Sequence, residues 1–439
     1  MARQMKDSGV EWIGQIPEDW NVARLCDIKS EKKFAIVDGP FGSAISTNDY
    51  REKGVPLIRI SNLKNGEVSD EDMVYISEEL AESVRRSCIG LSDIVFAKTG
   101  ATIGKCGINR LIKYGILASS CIKISISHKY NCDYFYYIFS TDQFNQALRN
   151  TCTGTTRDTI NLTPFSKLNV LLPPYCIQNR IASYLDRKCA EIDAIIAKQQ
   201  HIIEKLKEYK LSVITEAVTK GLNPNVPMKD SGVEWIGKIP EHWKIIKMKF
   251  LGKTRNGLTY SPEDLRDETD GILVLRSANI QNGKLDFTDK IYVSCPVKDE
   301  LMVKKGDILI CSRNGSRKLI GKNVIINTDI SASFGAFMMI FRTPYNSEYI
   351  RYILNSDVFS YYLGTFLTST INQLTRNNFD NMVIPFTFNN EEQKYLVMYL
   401  KNRCDKIDEL IRNKQVEIET LYKYKKSLIY EVVTGKMEV

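Results

Sequence analysis

Residues 5–20 read MKDSGVEWIGQIPEDW, and residues 228–243 read MKDSGVEWIGKIPEHW. The chain opens twice with nearly the same words, so it is a duplication, and a repeat fixes architecture ahead of any local pattern. The period is about half of the chain, far longer than one turn of a solenoid. Each copy is a whole domain plus its connector.

The match resumes further along each copy. Residues 176–220 align without a gap on residues 391–435, placing Cys189 on Cys404, Asp193 on Asp408, Tyr209 on Tyr424 and Glu216 on Glu431. Between these blocks lie residues 21–175 and 244–390, which agree only in short islands. The order is motif, variable domain and long helix, then the same again.

The repeated helical segments carry apolar residues on a heptad. In the first, Leu185, Ile192, Leu206 and Val213 fall at one position and Ile181, Ile195, Ile202 and Tyr209 at the other, interrupted by Lys188, Gln199 and Glu216. The second places Leu400, Ile407, Leu421 and Leu428 at one position and Leu396, Leu410 and Tyr424 at the other, with Lys414 where the first has Gln199. Such a seam requires a partner helix. Two copies in one chain supply it, and the intervening domain lets the chain return and pair them antiparallel over ~60 Å, at ~1.5 Å per residue. The same pattern also reads as a plain spacer or a dimer clamp.

Both variable domains are mixed α/β by pattern, with short strands bounded by turn signals. The islands they share read as scaffold: Arg59 with Arg276, Asn62 with Asn279, Asn65-Gly66 with Asn282-Gly283, Asp93 with Asp307, and Gly104-Lys105 with Gly321-Lys322. The loops in which they differ read as what each domain recognises. Lys98, Thr99 and Thr102 of the first stand against Arg313, Asn314, Arg317 and Lys318 of the second, next to the shared Lys105 and Lys322. Thr155 and Arg157 stand against the stretch that holds Asn372 and leads to Arg376. Basic, amide and hydroxyl side chains interleaved with glycine can meet phosphates by charge and base edges by hydrogen bonding. Any one such loop also reads as a solvated turn, but two recur in both copies. With Arg59 and Arg276 these residues form the candidate DNA-binding set. Thr99, Thr102, Arg157, Asn314, Arg317, Asn372 and Arg376, which differ between the copies, are the candidates for base contacts.

Composition agrees with a globular protein of more than one domain: 439 residues, 43% apolar and 10% aromatic. A formal net charge of +8 suits a polyanionic partner. No apolar run approaches the ~18–20 residues that span a bilayer, and the first residues lack the apolar stretch of a signal peptide. The expected location is the cytoplasm. Eleven cysteines without a CxxC pair and three histidines give neither a zinc pattern nor a disulfide framework. No catalytic constellation is found. GATIGK at residues 100–105 has one residue too few for a phosphate-binding loop, and Cys106 stands where a hydroxyl must hold Mg²⁺. Leu172-Pro173-Pro174-Tyr175 begins with a leucine, which cannot accept the hydrogen bonds of a target amine. Asp186-Arg187-Lys188 and Glu392-Gln393-Lys394 fall on the long helices, without the metal-binding aspartate that a nuclease site places before them.

The paired DSGVEWIG openings, GPFGSAI at residues 39–45, the GDILI and LIGK islands at residues 306–322, and the Pro-Pro strand end leading into a long helix resemble the specificity subunit of type I restriction-modification systems. The resemblance covers nearly the whole chain. It implies an α/β (α+β) protein with a pseudo-twofold internal repeat: target recognition domains at 1–175 and 223–388, joined by repeat helices at 176–222 and 389–439 that form an antiparallel coiled coil. It implies double-stranded DNA with a bipartite site as partner, one half read by each domain. Two methyltransferase subunits and two restriction or motor subunits are also implied. This chain would then be non-catalytic and hold no cofactor, with S-adenosylmethionine, ATP and Mg²⁺ on the partner subunits. The residues leave open two other classes, a self-contained restriction or modification enzyme and a coiled-coil scaffold that binds proteins.

Overall fold

A computed structural model of the chain describes residues 4–42, 44–152, 158–367 and 372–439. They form two compact units, residues 1–199 with 416–439 and residues 200–415. The repeated opening folds the same way in each. Met5–Asp7 pairs antiparallel with Gln15–Pro17, Lys6 opposite Ile16, and Met228–Asp230 pairs with Lys238–Pro240, Lys229 opposite Ile239. Each hairpin delivers a tryptophan, Trp20 or Trp243, into the core.

The first unit is built on a mixed sheet whose main strands are β1 (Ile36–Asp38), β2 (Asp93–Ala97), β3 (Cys106–Ile108) and β4 (Cys121–Ser125), in spatial order β1-β4-β2-β3. Short strands at Glu67–Val68 and Leu63–Lys64 extend it beyond β3. Strand β2 is buried at every position, so after Asp93 it reads as an apolar run in place of an alternation. Helix α1 (Cys132–Phe139) turns its aromatic face into this core, and α2 (Asp142–Asn150) follows it. Helix α3 (Tyr175–Lys220) then leaves the unit.

The second unit repeats the plan with β5 (Lys253–Asn256), β6 (Ile308–Cys311), β7 (Asn323–Ile325) and β8 (Met338–Arg342), in order β5-β8-β6-β7. Helices α4 (Ser347–Ile353) and α5 (Asp357–Phe366) stand where α1 and α2 do, and α6 (Asn390–Val433) ends the chain's regular structure. Equivalent asparagines cap α1 and α4: Asn131 Oδ1 accepts from the N–H of Tyr134 at 2.9 Å and Asn346 Oδ1 from that of Tyr349 at 3.2 Å. Such a cap contributes roughly 1 kcal/mol.

The shared Asp93 and Asp307 anchor the two sheets in different ways. Asp93 pairs with Lys123 Nζ at 2.7 Å, both side chains buried, and accepts from Ser125 Oγ. Asp307 instead takes a bidentate pair from Arg342, Nε at 2.7 Å and Nη2 at 2.6 Å. That pair holds the Arg342 guanidinium above its ordinary pKa. In both units the acid also accepts a backbone N–H three residues before it, from Gly90 or Lys304, which closes the turn into the strand.

Within each unit α3 and α6 run antiparallel. In the first, Tyr134 Oη reaches the carbonyls of Leu171, just before α3, and Val433, at the end of α6, while Asp193 pairs with Lys425 at 2.6 Å. In the second, Lys210 pairs with Asp408 at 2.6 Å, and Trp243, packed against Gly221 just past α3, donates to Glu392 near the start of α6 at 3.0 Å. The aligned residues of the two copies thus make the same ion pair twice, once in each unit.

The seam is not the one the heptad reading predicts. Leu185, Ile192, Leu400, Ile407 and Leu428 are buried as expected, but Ile195, Tyr209, Leu410 and Tyr424 are 46%, 46%, 49% and 55% exposed. The second column of the seam runs through Cys189, Ile196 and Ile203 on α3 and Cys404, Ile411 and Val432 on α6. Spacings of three and four residues both continue a helical stripe. Adjacent apolar pairs such as Ile195-Ile196 and Ile202-Ile203 satisfy either, so the sequence permits two registers one residue apart.

Candidate nucleic-acid interface

The loops singled out in the sequence gather at one end of each main sheet. In the first unit Asp38, Cys121, Ala97 and Cys106 lie at that end, since Ile122 faces Asp38, Ala97 faces Cys121 and Phe96 faces Cys106. The hairpin between β2 and β3 projects from it. Lys98 N bonds Ser120 O at 2.7 Å, Ile160 N bonds Lys98 O at 3.0 Å, and Thr99 forms an isolated bridge with Thr159. The second unit repeats these contacts: Leu374 N bonds Ser312 O at 2.7 Å, and Arg313 bridges Gln373. Two loops far apart in sequence are therefore side by side in both units.

Both hairpins close with one turn. Gly104 N donates to Ala97 O and Ala97 N to Lys105 O at 2.8 Å, while Gly321 N donates to Cys311 O and Cys311 N to Lys322 O, both at 2.8 Å. Gly104 and Gly321 take φ of +88° and +84°, and a Cβ at Gly104 would lie 2.0 Å from Asn145 Oδ1. The turn needs glycine both for its backbone angle and for room. Arg149 of α2 fixes it from behind, donating to the carbonyls of Ala101 at 3.2 Å and Ile103 at 2.8 Å. A depression of about 460 Å³ opens beside the turn, lined by Ala101, Thr102, Lys105, Asp142, Asn145 and Arg149 among others.

The predicted cations divide by what holds them. Lys98 Nζ sits 2.5 Å from Asp38 Oδ2, and its side chain is only 16% exposed. Arg59 donates to Asp72 O at 2.5 Å, and Arg276 pairs with Asp289 at 2.6 Å. Those two equivalent arginines also carry the backbone N–H that bonds Asn62 or Asn279, so they belong to the framework of their loops. Lys322 reaches Ser277 O at 3.4 Å, and Arg376 pairs with Asp380 one turn along its own helix. Asn314 is folded into its loop by bonds to Ser277 Oγ and from Ser316 N. Thr99 lies at the bridge to Thr159, and Asn372 is half-buried. In contrast Lys105 and Lys318 are exposed, with no side-chain hydrogen bond or ion pair among the described residues, as Thr102 also is. Arg317 is exposed and makes one long contact, to Gly364 O at 3.5 Å. Arg313 lies over the ring of Phe337 at 5.2 Å. Thr155 and Arg157 lie outside the described residues.

Burial pushes the thiols of Cys106 and Cys121 up to about 12, so neither is a nucleophile at neutral pH. All eleven cysteines are free, and no group of three metal-ligating side chains occurs among the described residues. No helix among the described residues is long and apolar enough to cross a membrane. Sequence reasoning missed Arg149 and two exposed phenylalanines, Phe41 and Phe337, at the same sheet ends. Phe41 had a signal: a large apolar residue inside GPFGS cannot belong to a core strand.

Comparison with known proteins now bears on this geometry. Residues 17–208 match the family model of the type I restriction modification DNA specificity domain. The MjaVIII specificity subunit of a type I restriction enzyme from Methanocaldococcus jannaschii is 26% identical over 442 residues, covering 97% of this chain and 94% of that protein. Over nearly its whole length the chain is similar to type I specificity subunits. The EcoKI specificity subunit of Escherichia coli, another type I subunit, is 23% identical over 70% of this chain and 64% of its own length. A chain from a solved structure on complex assembly and conformational transition of the type I R-M system superposes with a TM-score of 0.72 at 15% identity, covering 96% of this chain and 99% of that one. The HsdS subunit from Thermoanaerobacter tengcongensis gives 0.51 at 15% identity, covering 96% and 98%. These two likenesses concern the fold, a pair of mixed α/β domains joined by long helices. The match to the type I specificity domain spans the first variable domain and most of α3.

Proposed function

We propose that the chain is the non-catalytic DNA-reading subunit of a type I restriction-modification complex, with each unit reading one half of a bipartite site. One observation carries this reading. The two sheets present the same hairpin turn at the same end but arm it differently, with Thr99 and Thr102 in one and Arg313, Asn314, Arg317 and Lys318 in the other. A shared scaffold with differing side chains at equivalent places suits two targets of one chemical class. DNA is that class, because phosphate contacts draw on exposed cations and base edges on amide and hydroxyl groups.

The division of the cations refines the candidate set. In this reading Lys105, Arg313, Arg317 and Lys318 meet the backbone, and Thr102 and Asn372 reach base edges. Arg59, Arg276 and Lys98 shape the loops. Thr155 and Arg157 remain candidates from the sequence. Methyl transfer to adenine and DNA cleavage fall to partners: two methyltransferase subunits and two restriction or motor subunits. S-adenosylmethionine, ATP and Mg²⁺ belong to those partners, and their complex works in the cytoplasm.

The test is to co-express the chain with its modification subunit and map methylated adenines by single-molecule sequencing. A split motif with a fixed spacer is the expected result. Replacing residues 21–175 by the corresponding domain of a relative should alter one half of that motif. Alteration of both halves, or an assembled complex that leaves DNA unmodified, would refute the reading.

A further inference from the structure

Each unit exposes a phenylalanine at the loop-bearing end of its main sheet, and the two come from different loops. Phe41 is 88% exposed and Phe337 57% exposed. Singly exposed apolar side chains are ordinary. Their placement is not. Phe41 caps a turn closed by Ala44 N on Phe41 O at 2.8 Å, three residues past Asp38, the carboxylate that holds Lys98. The base of this loop is locked to the sheet end: Gly39 N donates to Cys121 O at 2.9 Å, and a Cβ at Gly39 would fall 1.9 Å from Ala118 O. The ring thus stands on a fixed stem at the same sheet end as the hairpin that carries Thr102 and Lys105.

In the second unit the ring of the counterpart loop, residues 257–261, is Tyr260, half-buried against Leu258, Val274 and Val293 rather than held out. Phe337 comes instead from the turn before β8, where Met338 N bonds Gly335 O at 2.8 Å. Its carbonyl accepts from Ser312 N at 2.9 Å and Arg313 N at 3.1 Å, and the Arg313 guanidinium lies over its ring. The backbone that presents the phenylalanine is the one that holds the cationic hairpin. In both units an exposed ring and exposed cations share one sheet end, and in the second they touch, the pairing that base stacking and phosphate contact require together.

We infer that Phe41 and Phe337 are DNA-contacting wedges, each set against or between bases of its half-site and opening the duplex locally. The occupant is double-stranded DNA, argued from Arg313 against the Phe337 ring and from the exposed Lys105, Arg317 and Lys318 at the same sheet ends. The inference rests on the DNA-reading function proposed above. Apolar wedges of this kind unstack a base step and bend the helix, a deformation that assists a partner in extruding a base for methylation.

The experiment uses the full chain assembled with its methyltransferase subunit, on duplexes carrying the mapped site with 2-aminopurine at successive positions. The unaltered complex should raise the fluorescence at one position in each half. Phe41→Ala should abolish the rise in one half only and weaken binding about tenfold, Phe337→Ala should do so in the other half, and Phe→Trp at either position should restore both. Phe250→Ala, an equally bland exposed ring at the opposite end of its sheet, should change nothing. Unchanged affinity and fluorescence in the first two variants would overturn the assignment. So would loss of the methyltransferase subunit from either variant with DNA affinity retained, because the ring would then face a protein. If the unaltered complex selects no split site, the DNA-reading function itself falls, and the assignment with it.

Discussion

Removing two cations from the second hairpin should change how DNA affinity responds to salt, by an amount the structure allows to be set in advance. Arg317 and Lys318 are exposed, and neither has an acidic partner among the described residues. Each phosphate such a side chain neutralises releases counterions and adds about 0.9 to the slope of log affinity against log salt. The double variant Arg317→Ala, Lys318→Ala should therefore lower that slope by about 1.8. Between about 50 and 200 mM salt, a fourfold change, the advantage of the unaltered protein over the variant should shrink roughly tenfold. Lys98→Ala is the internal comparison. Its ammonium lies 2.5 Å from Asp38 and is largely shielded, so it has little charge left to offer a phosphate and its loss should leave the slope unchanged. Fluorescence anisotropy with a duplex bearing the mapped site, across a salt series, measures all three proteins. The reasoning fails if Lys98→Ala lowers the slope as much as the double variant, or if the double variant leaves it unmoved.

Other outcomes follow from the packing. Asp93→Ala strands the ammonium of Lys123, only 6% exposed, and should cost the first unit about 4 kcal/mol, whereas Asp307→Ala strands an Arg342 that is 33% exposed and should cost less. Urea unfolding followed by hydrogen exchange in β2 and β6 would rank them, and Asp93→Leu with Lys123→Met should recover much of the loss. Gly104→Ala forces a Cβ into Asn145 at a φ of +88°. It should distort one hairpin and relax one half of the methylated motif, leaving the other half intact in the same sequencing assay. The pKa of Cys106 and Cys121, raised to about 12 by burial, keeps both as neutral thiols at pH 8. A thiol reagent should label exposed Cys176 promptly and those two only on unfolding, read by mass spectrometry.

The duplication made the architecture legible. The repeated opening and the gapless helical block marked two copies of one plan, and the loops between the shared islands lie at matching sheet ends. The seam was harder, because Ile195-Ile196 and Ile202-Ile203 offer both faces an apolar residue. Only packing within each unit selects Ile196 and Ile203. The charge state of the interface was also hidden. Lys98 looks like any loop lysine until Asp38, distant in sequence, is found beside it, and Arg59 and Arg276 look free until the carbonyl of Asp72 and the carboxylate of Asp289 are placed. Composition reports cations; tertiary contacts decide which remain available.

The two hairpins also differ in length. Seven residues separate Ala97 from Lys105 and ten separate Cys311 from Lys322, counted along the sequence, yet the strands beneath keep one pairing, Phe96 opposite Cys106 and Ile310 opposite Asn323. Lengthening a surface loop is thermodynamically mild, about 0.6 kcal/mol for a doubling. Insertions and deletions at this point can thus accumulate in a lineage without disturbing the fold beneath them. With two copies in one polypeptide, one loop is free to drift toward a new target while the other preserves the old, and a host's repertoire can diversify one half-word at a time.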